Sequence, residues 1–242
     1  MYDVLRYINE NGKGRCILTG GTALMYAYGL GRFSEGICLD STVQLDFFEM
    51  VERFCKSNGY YLKIAKNTET VQRAIIEYDN SDFIPFVNEP KPLEIEVSYS
   101  GKVIDAEEYC LYNGVYVYLL PAIFRMTAIA YSLRYGINDL YDLCFMEREH
   151  FDLIPEGYQA MLRDILGEIG LEKCFYLIRK QTDGLLSHEV QDILMKDCLD
   201  LFDRLNLLRL PLAMCRSQRH QAVVITISGL DRVCLSILGK SD

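Results

Sequence analysis

Thr19-Gly20-Gly21-Thr22 sets two glycines between an apolar run, Cys16-Ile17-Leu18, and a helical pattern, Ala23 to Leu30. A strand that turns through bare backbone into a helix leaves unpaired N–H groups and the positive end of a helix dipole near one point, which suits phosphate oxygens. The same pattern also describes an ordinary tight turn. A second stretch, Gly31 to Asp40 (GRFSEGICLD), ends in a short strand. Side chains alternate along a strand, so positions 36, 38 and 40 share one face and the apolar Ile37 and Leu39 the other, towards the core. The first face carries Gly36, Cys38 and Asp40.

Two further groups of acids stand downstream. Glu94 and Glu96 share one face of the strand LEIEV, where they could meet Asp40 across a sheet and hold a weak metal site, or simply form a solvated face. Asp139 and Asp142 lie at i and i+3 on one face of a helix, as polar site residues or, for Asp139, as a carboxylate complementing the helix dipole. Cys38 is expected to be a small buried residue, since no histidine lies nearby in sequence to activate it. His150, His188 and His220 show no ligand spacing, so no zinc site is expected. Lys91, Lys102, Arg209, Arg216 and Arg219 are candidate contacts for RNA phosphates, and Tyr60, Tyr61, Tyr99, Tyr112 and Tyr116 for bases; solvated cations and half-buried rings are the alternative.

The elements that must position these residues follow from hydrophobic periodicity. Residues 2–11 form an amphipathic helix through Tyr2, Leu5 and Ile8, and residues 45–59 a second, with Phe47, Phe48, Val51, Phe54 and Cys55 on one face and Asn58-Gly59 as its stop. YYLKIAK, TVQRAIIEYD, PLEIEVSYS and NGVYVYLL read as strands. This order predicts an α/β (α+β) mixed sheet with helices packed on it over residues 1–118. From Pro121 every segment has helical spacing, which predicts a helical bundle over residues 119–242. Residues 209–242 carry no clear period and stay open between strand, helix and tail.

The chain has 242 residues, half of them hydrophobic, which suffices for a packed core in one large or two modest domains. A formal net charge of −9 argues against sequence-independent coating of nucleic acid, while leaving room for a local basic groove. Nine cysteines occur singly with no C-x-x-C pair, which predicts reduced, mostly buried thiols. No run approaches the ~18 to 20 apolar residues of a membrane span, and the start lacks a signal-like apolar stretch. A soluble, cytoplasmic protein without a membrane partner is expected.

The stretch GGTALMYAYGLGRFSEGICLD resembles the signature of the AbiEii/AbiGii-like nucleotidyltransferases, known from abortive-infection and toxin–antitoxin systems. Its members typically read G-G-T-A-L, about ten residues, then R-x-S-x-D-[IL]-D-[LF]-D. Asn138-Asp139-Leu140-Tyr141-Asp142-Leu143 is similar to the family's R-D-x-x-D-[LI] helix, and Leu93 to Val97 takes the place of its acidic strand. The resemblance touches most of residues 15–146. It implies a nucleotidyltransferase α/β domain followed by helices, and transfer of a nucleotide from an NTP to an acceptor such as tRNA. It further implies Mg²⁺ or Mn²⁺ on Asp40, Glu94 and Glu96; catalytic roles for Asp40, Glu96 and Asp139; triphosphate contacts from Gly20, Gly21, Thr22 and Ser34; and an antitoxin protein as partner.

The sequence departs from the pattern where the chemistry is concentrated. Gly36 and Cys38 stand where the family places the two aspartates of its D-x-D pair. Glycine offers no ligand, and a thiol is a soft donor poorly matched to Mg²⁺. The family's lysine on the first helix of the second half is absent; by position Arg125 or Thr127 stands nearest, and Arg125 is the candidate nucleotide contact. Asn138 replaces the arginine of R-D. The expectation is therefore an impaired or inactive enzyme, with a non-catalytic nucleotide-binding or protein-interaction module as the alternative.

Overall fold

The computed structural model describes residues 1–32, 34, 36–78, 92–99, 104–180 and 188–208. Lys91, Lys102 and the open stretch 209–242, with Arg209, Arg216, Arg219 and His220, lie outside them. The described residues form eight α-helices and a seven-stranded mixed sheet. In chain order they are α1 (Tyr2–Asn11), β1 (Ile17–Thr19), α2 (Gly20–Ala27), β2 (Gly36–Asp40), α3 (Phe47–Asn58), β3 (Tyr61–Asn67), β4 (Val71–Glu77), β5 (Leu93–Ser98), β6 (Tyr109–Tyr112), β7 (Val115–Tyr118), α4 (Leu120–Arg134), α5 (Ile137–Glu149), α6 (Glu156–Ile169), α7 (Leu171–Lys180) and α8 (His188–Arg204). Residues 1–207 form one compact unit.

The sheet runs β3-β4-β5-β2-β1-β7-β6. Its centre is mixed: β2 is antiparallel to β1 and parallel to β5, while β1 is parallel to β7. Leu18, Ile37, Leu39, Ile95 and Val97 are all buried, in one core cluster with the residues that α1 and α3 bury, Val4, Leu5 and Ile8 and Phe47, Met50, Val51, Phe54 and Cys55. Burial at spacings of three and four is what makes these helices sit still on the sheet. Gly59, at φ +70, ends α3 in the left-handed cap that Asn58-Gly59 announces.

One strand is additional to the sequence reading. Tyr109–Tyr112 forms β6 and pairs antiparallel with β7 across Asn113-Gly114, both at positive φ. That dipeptide is the strongest short hairpin signal, because both turn residues must adopt the left-handed region. Pro121 sits in the first turn of α4, where its missing N–H costs nothing, and α5 follows with Gly136 as its N-cap. Helix α2 touches β1, β2, β7, α4 and α5, and so joins the sheet to the helical layer. Among the described residues no helix is long and apolar enough to cross a membrane. Five of the seven described cysteines are buried, and all seven are free.

Candidate functional site

The two glycines of the turn serve different needs. Gly20 has φ +67, a conformation that side chains strain to adopt. Gly21 has ordinary φ, but a Cβ there would lie 2.6 Å from Nη2 of Arg32. The Arg32 guanidinium fills that space because Asp142 on α5 receives it twice, Nε to Oδ1 at 2.7 Å and Nη2 to Oδ2 at 2.7 Å. The Tyr141 ring lies beneath it, 5.9 Å away. Bidentate guanidinium–carboxylate pairs fix orientation as well as charge. Burial pushes the Asp142 carboxyl up more strongly than Arg32 draws it down. This clasp ties the loop after α2 to α5.

Thr22 and Ser34 are buried, and their hydroxyls are hydrogen-bonded to each other at 2.7 Å. Both also reach the Gly36 carbonyl. Their donors and acceptors therefore hold the start of β2 against α2 and face inward.

The opposite wall is a run of paired strands. One rung across β4, β5, β2 and β1 reads Arg73, Glu96, Cys38, Thr19. The rung before it on β2 reads Ile75, Glu94, Gly36, and the rung after it Val71, Ser98, Asp40, Ile17. Glu96 thus faces Cys38, and Asp40 faces Ser98 about 7 Å further along the strand. The register sets neither glutamate directly opposite Asp40, which stands across from Ser98, one step along the same face from Cys38. Asp40 is buried and accepts from the Tyr118 hydroxyl at 3.1 Å. Glu96 Oε2 accepts from Arg73 Nε at 2.8 Å and Nη2 at 2.5 Å, and Glu94 Oε1 lies 3.3 Å from the same Nε.

Cys38 departs from expectation: its side chain reaches solvent instead of the core. The wall around it still strips water away, and this desolvation, followed by the charges of Glu96 and Glu94, pushes the thiol up to about 11. The charge of Arg134 opposes that shift by less than each of these. At neutral pH the group is a protonated thiol, neither a nucleophile nor a hard ligand.

The residues present do not fit a divalent ion. Position 36 has no donor, position 38 has a soft protonated one, Glu94 and Glu96 are held by a guanidinium, and Asp40 is engaged by Tyr118. Among the described residues no group of three or more His, Cys, Asp or Glu side chains is arranged to hold a metal.

The third wall is the junction of α4 and α5. Asp139, in the first turn of α5, is buried and clasped by Arg134, Nε to Oδ2 at 2.7 Å and Nη2 to Oδ1 at 2.6 Å. A Cβ on Gly136 would stand 2.5 Å from Asp139 Oδ2, so the glycine makes room for the carboxylate. Arg125 turns to Glu108 at 2.7 Å and over the Tyr158 ring at 5.9 Å.

Sequence reasoning missed the three arginines that organise these walls: Arg32, named only within its motif, Arg73 and Arg134. For Arg73 the signal was present, since a strand with a lone arginine, TVQRAIIE, pairs with one reading Glu-x-Glu.

A mixed sheet with a glycine turn at its centre and acidic strands beside it defines the nucleotidyltransferase fold. Two solved structures share it. A candidate nucleotidyltransferase from H. pylori superposes with a TM-score of 0.65 at 23% identity, covering 87% of this chain and 95% of its own. JHP933 from Helicobacter pylori gives 0.66 at 23% identity, covering 86% and 90%. Residues 3–211 match the family described as nucleotidyl transferase AbiEii toxin, Type IV TA system, and the chain belongs to that family. No curated protein matches it.

Proposed function

We propose that this chain is a member of the AbiEii family in which nucleotidyl transfer from an NTP to an acceptor such as tRNA is disabled, and that the cleft persists as a nucleotide-binding module. The observation carrying this reading is the central rung: Cys38 beside Glu96, Gly36 beside Glu94, and both glutamates on Arg73. Phosphoryl transfer needs carboxylates that hold divalent ions against the triphosphate. Losing that set costs several kcal/mol of transition-state stabilisation, on the order of thousands-fold in rate at ~1.4 kcal/mol per decade.

Nucleotide binding without a metal draws on the backbone amides of Gly20 and Gly21 at the start of α2 and on Arg134, exposed at the rim. Asp40, Glu96 and Asp139 are in this reading structural remnants of a catalytic set. Residues 1–118 carry most of the nucleotide site, with Arg134 added from α4, and the described helices after residue 119 present a surface to a partner, an antitoxin in a toxin–antitoxin pair. Ile129 and Leu133, one turn apart on α4 and exposed, give such a partner an apolar foothold.

The test is incubation of the full chain with each labelled NTP, Mg²⁺ or Mn²⁺, and total tRNA, beside calorimetry with the same nucleotides in EDTA. The expected result is no label on RNA above an enzyme-free blank, with nucleotide binding retained in EDTA. Metal-dependent labelling at a rate typical of enzymes overturns the loss of transfer, and absence of binding overturns the nucleotide-binding role.

A further inference from the structure

We infer that Arg73 is a tethered cation that takes the place of a divalent ion on the β2–β5 face and keeps Glu94 and Glu96 closed to metal. The inference rests on the disabled-transfer reading above and adds the residue responsible for excluding the ion. Its basis is the register. Arg73 and Cys38 flank Glu96 from the two neighbouring strands, so all three side chains project from the same face of the sheet. Two guanidinium nitrogens converge on one Glu96 oxygen, at 2.8 and 2.5 Å, and Nε also lies 3.3 Å from Glu94. One fixed charge therefore serves two carboxylates, which is the arrangement an ion would otherwise make.

The chemistry favours the guanidinium as occupant. It stays charged at any pH the fold survives, and its planar fork spans two carboxylates without needing octahedral geometry. A divalent ion, by contrast, needs at least one further hard oxygen on this face, where β2 sets a glycine and a thiol opposite the two glutamates and its one carboxylate, Asp40, stands a step further along opposite Ser98, buried and accepting from Tyr118. The tether also holds the cation at an effective concentration of millimolar order, which a weak two-carboxylate site cannot easily overcome.

The test is calorimetric titration with Mn²⁺ alone, on the full chain and on Arg73→Met, Cys38→Asp, Arg73→Lys and the double variant Arg73→Met/Cys38→Asp. Position 38 is chosen over 36 because a Cβ at Gly36 would lie 3.2 Å from the Glu94 carbonyl and press on the neighbouring strand. The unmodified chain, Arg73→Lys and Cys38→Asp should bind Mn²⁺ no tighter than millimolar, and Arg73→Met, still without a hard oxygen at 38, little better. The double variant should gain a site at least tenfold tighter than Cys38→Asp. A double variant no tighter than Cys38→Asp, or an unmodified chain that binds as tightly as the double variant, overturns the inference. Circular dichroism establishes that each variant is folded, and Arg73→Gln replaces Arg73→Met if the latter is not. Failure here, with transfer also absent from the unmodified chain, removes Arg73's role and leaves the disabled-transfer reading standing.

Discussion

The candidate site has two sides that use arginine–carboxylate pairs to different ends. On the glycine-turn side, Arg32 and Asp142 meet with little contact with water, at 17% and 5% side-chain exposure, and close the loop between α2 and β2 onto α5. On the sheet side, Arg73 meets Glu94 and Glu96 in the open, at 38%, 47% and 27%. The first pair is part of the scaffold; the second only sets the charge of a surface. A motif that names one functional site thus divides into residues the fold depends on and residues that matter only to chemistry. In this chain the Arg32–Asp142 pair is in place, and the departures at 36 and 38 fall among the second kind.

The sharpest way to break that division is Arg32→Ala. It leaves Asp142 buried without its cation, and an uncompensated buried charge costs about 3–5 kcal/mol. Thermal unfolding should show a large fall in melting temperature, and Arg32→Ala with Asp142→Asn should recover part of it, because the amide carries no charge to strand. A single variant that melts with the unmodified chain would make the clasp as dispensable as the sheet-side pair.

Five residues along α5 from Asp142 stands a carboxylate with no such partner. Glu147 is 1% exposed, and among the described residues neither of its oxygens has a hydrogen-bond partner. Arg204 donates to its backbone carbonyl and not to its carboxylate. Cys144, Arg148, Asp197, Asp200 and Arg204 line a cavity beside it of about 10 Å³, room for one water. Burial pushes the Glu147 carboxyl from 4.5 up to about 7, against a smaller opposing pull from Arg204. The folded chain therefore keeps a proton that the unfolded chain has released. Glu147's stabilising share is full below pH 4.5, declines as pH rises to about 7, and is flat beyond. Allowing for the adjoining water-sized space, the loss is about 1–3 kcal/mol. Glu147→Gln should flatten that slope and melt above the unmodified chain at pH 8; an unchanged slope places the proton elsewhere.

The sequence made the scaffold legible and much of the cleft with it. Alternation in Gly36 to Asp40 was enough to send Ile37 and Leu39 to the core and the other three to the opposite face, because period two leaves a strand no other choice. What alternation cannot supply is the identity of the neighbours. That Glu96 lies against Cys38, and Asp40 against Ser98, depends on the register between strands more than fifty residues apart. The exposure of Cys38 depended on the same fact, since strand position tells which face a side chain takes but not whether that face is covered. The β6 strand was missed although Asn113-Gly114 announced its hairpin: Tyr109 to Tyr112 is a short, mostly exposed edge whose four apolar residues in a row show no alternation.

The smallest expected effect bears on the same comparison from the sheet side. Arg73→Met removes a cation from an exposed cluster, where water and salt already screen the charges and the freed glutamates can turn to solvent. Exposed pairs of this kind contribute about 0–1 kcal/mol, and the methionine keeps much of the apolar stem that lies along β4. Chemical denaturation should give a midpoint within that range of the unmodified chain, with the difference shrinking further in 1 M salt. Leaving Glu94 and Glu96 to repel one another sets the sign as a slight loss. A loss as large as that of Arg32→Ala would mean that Arg73 holds the sheet together, and its likeness to a bound ion would then be incidental to packing.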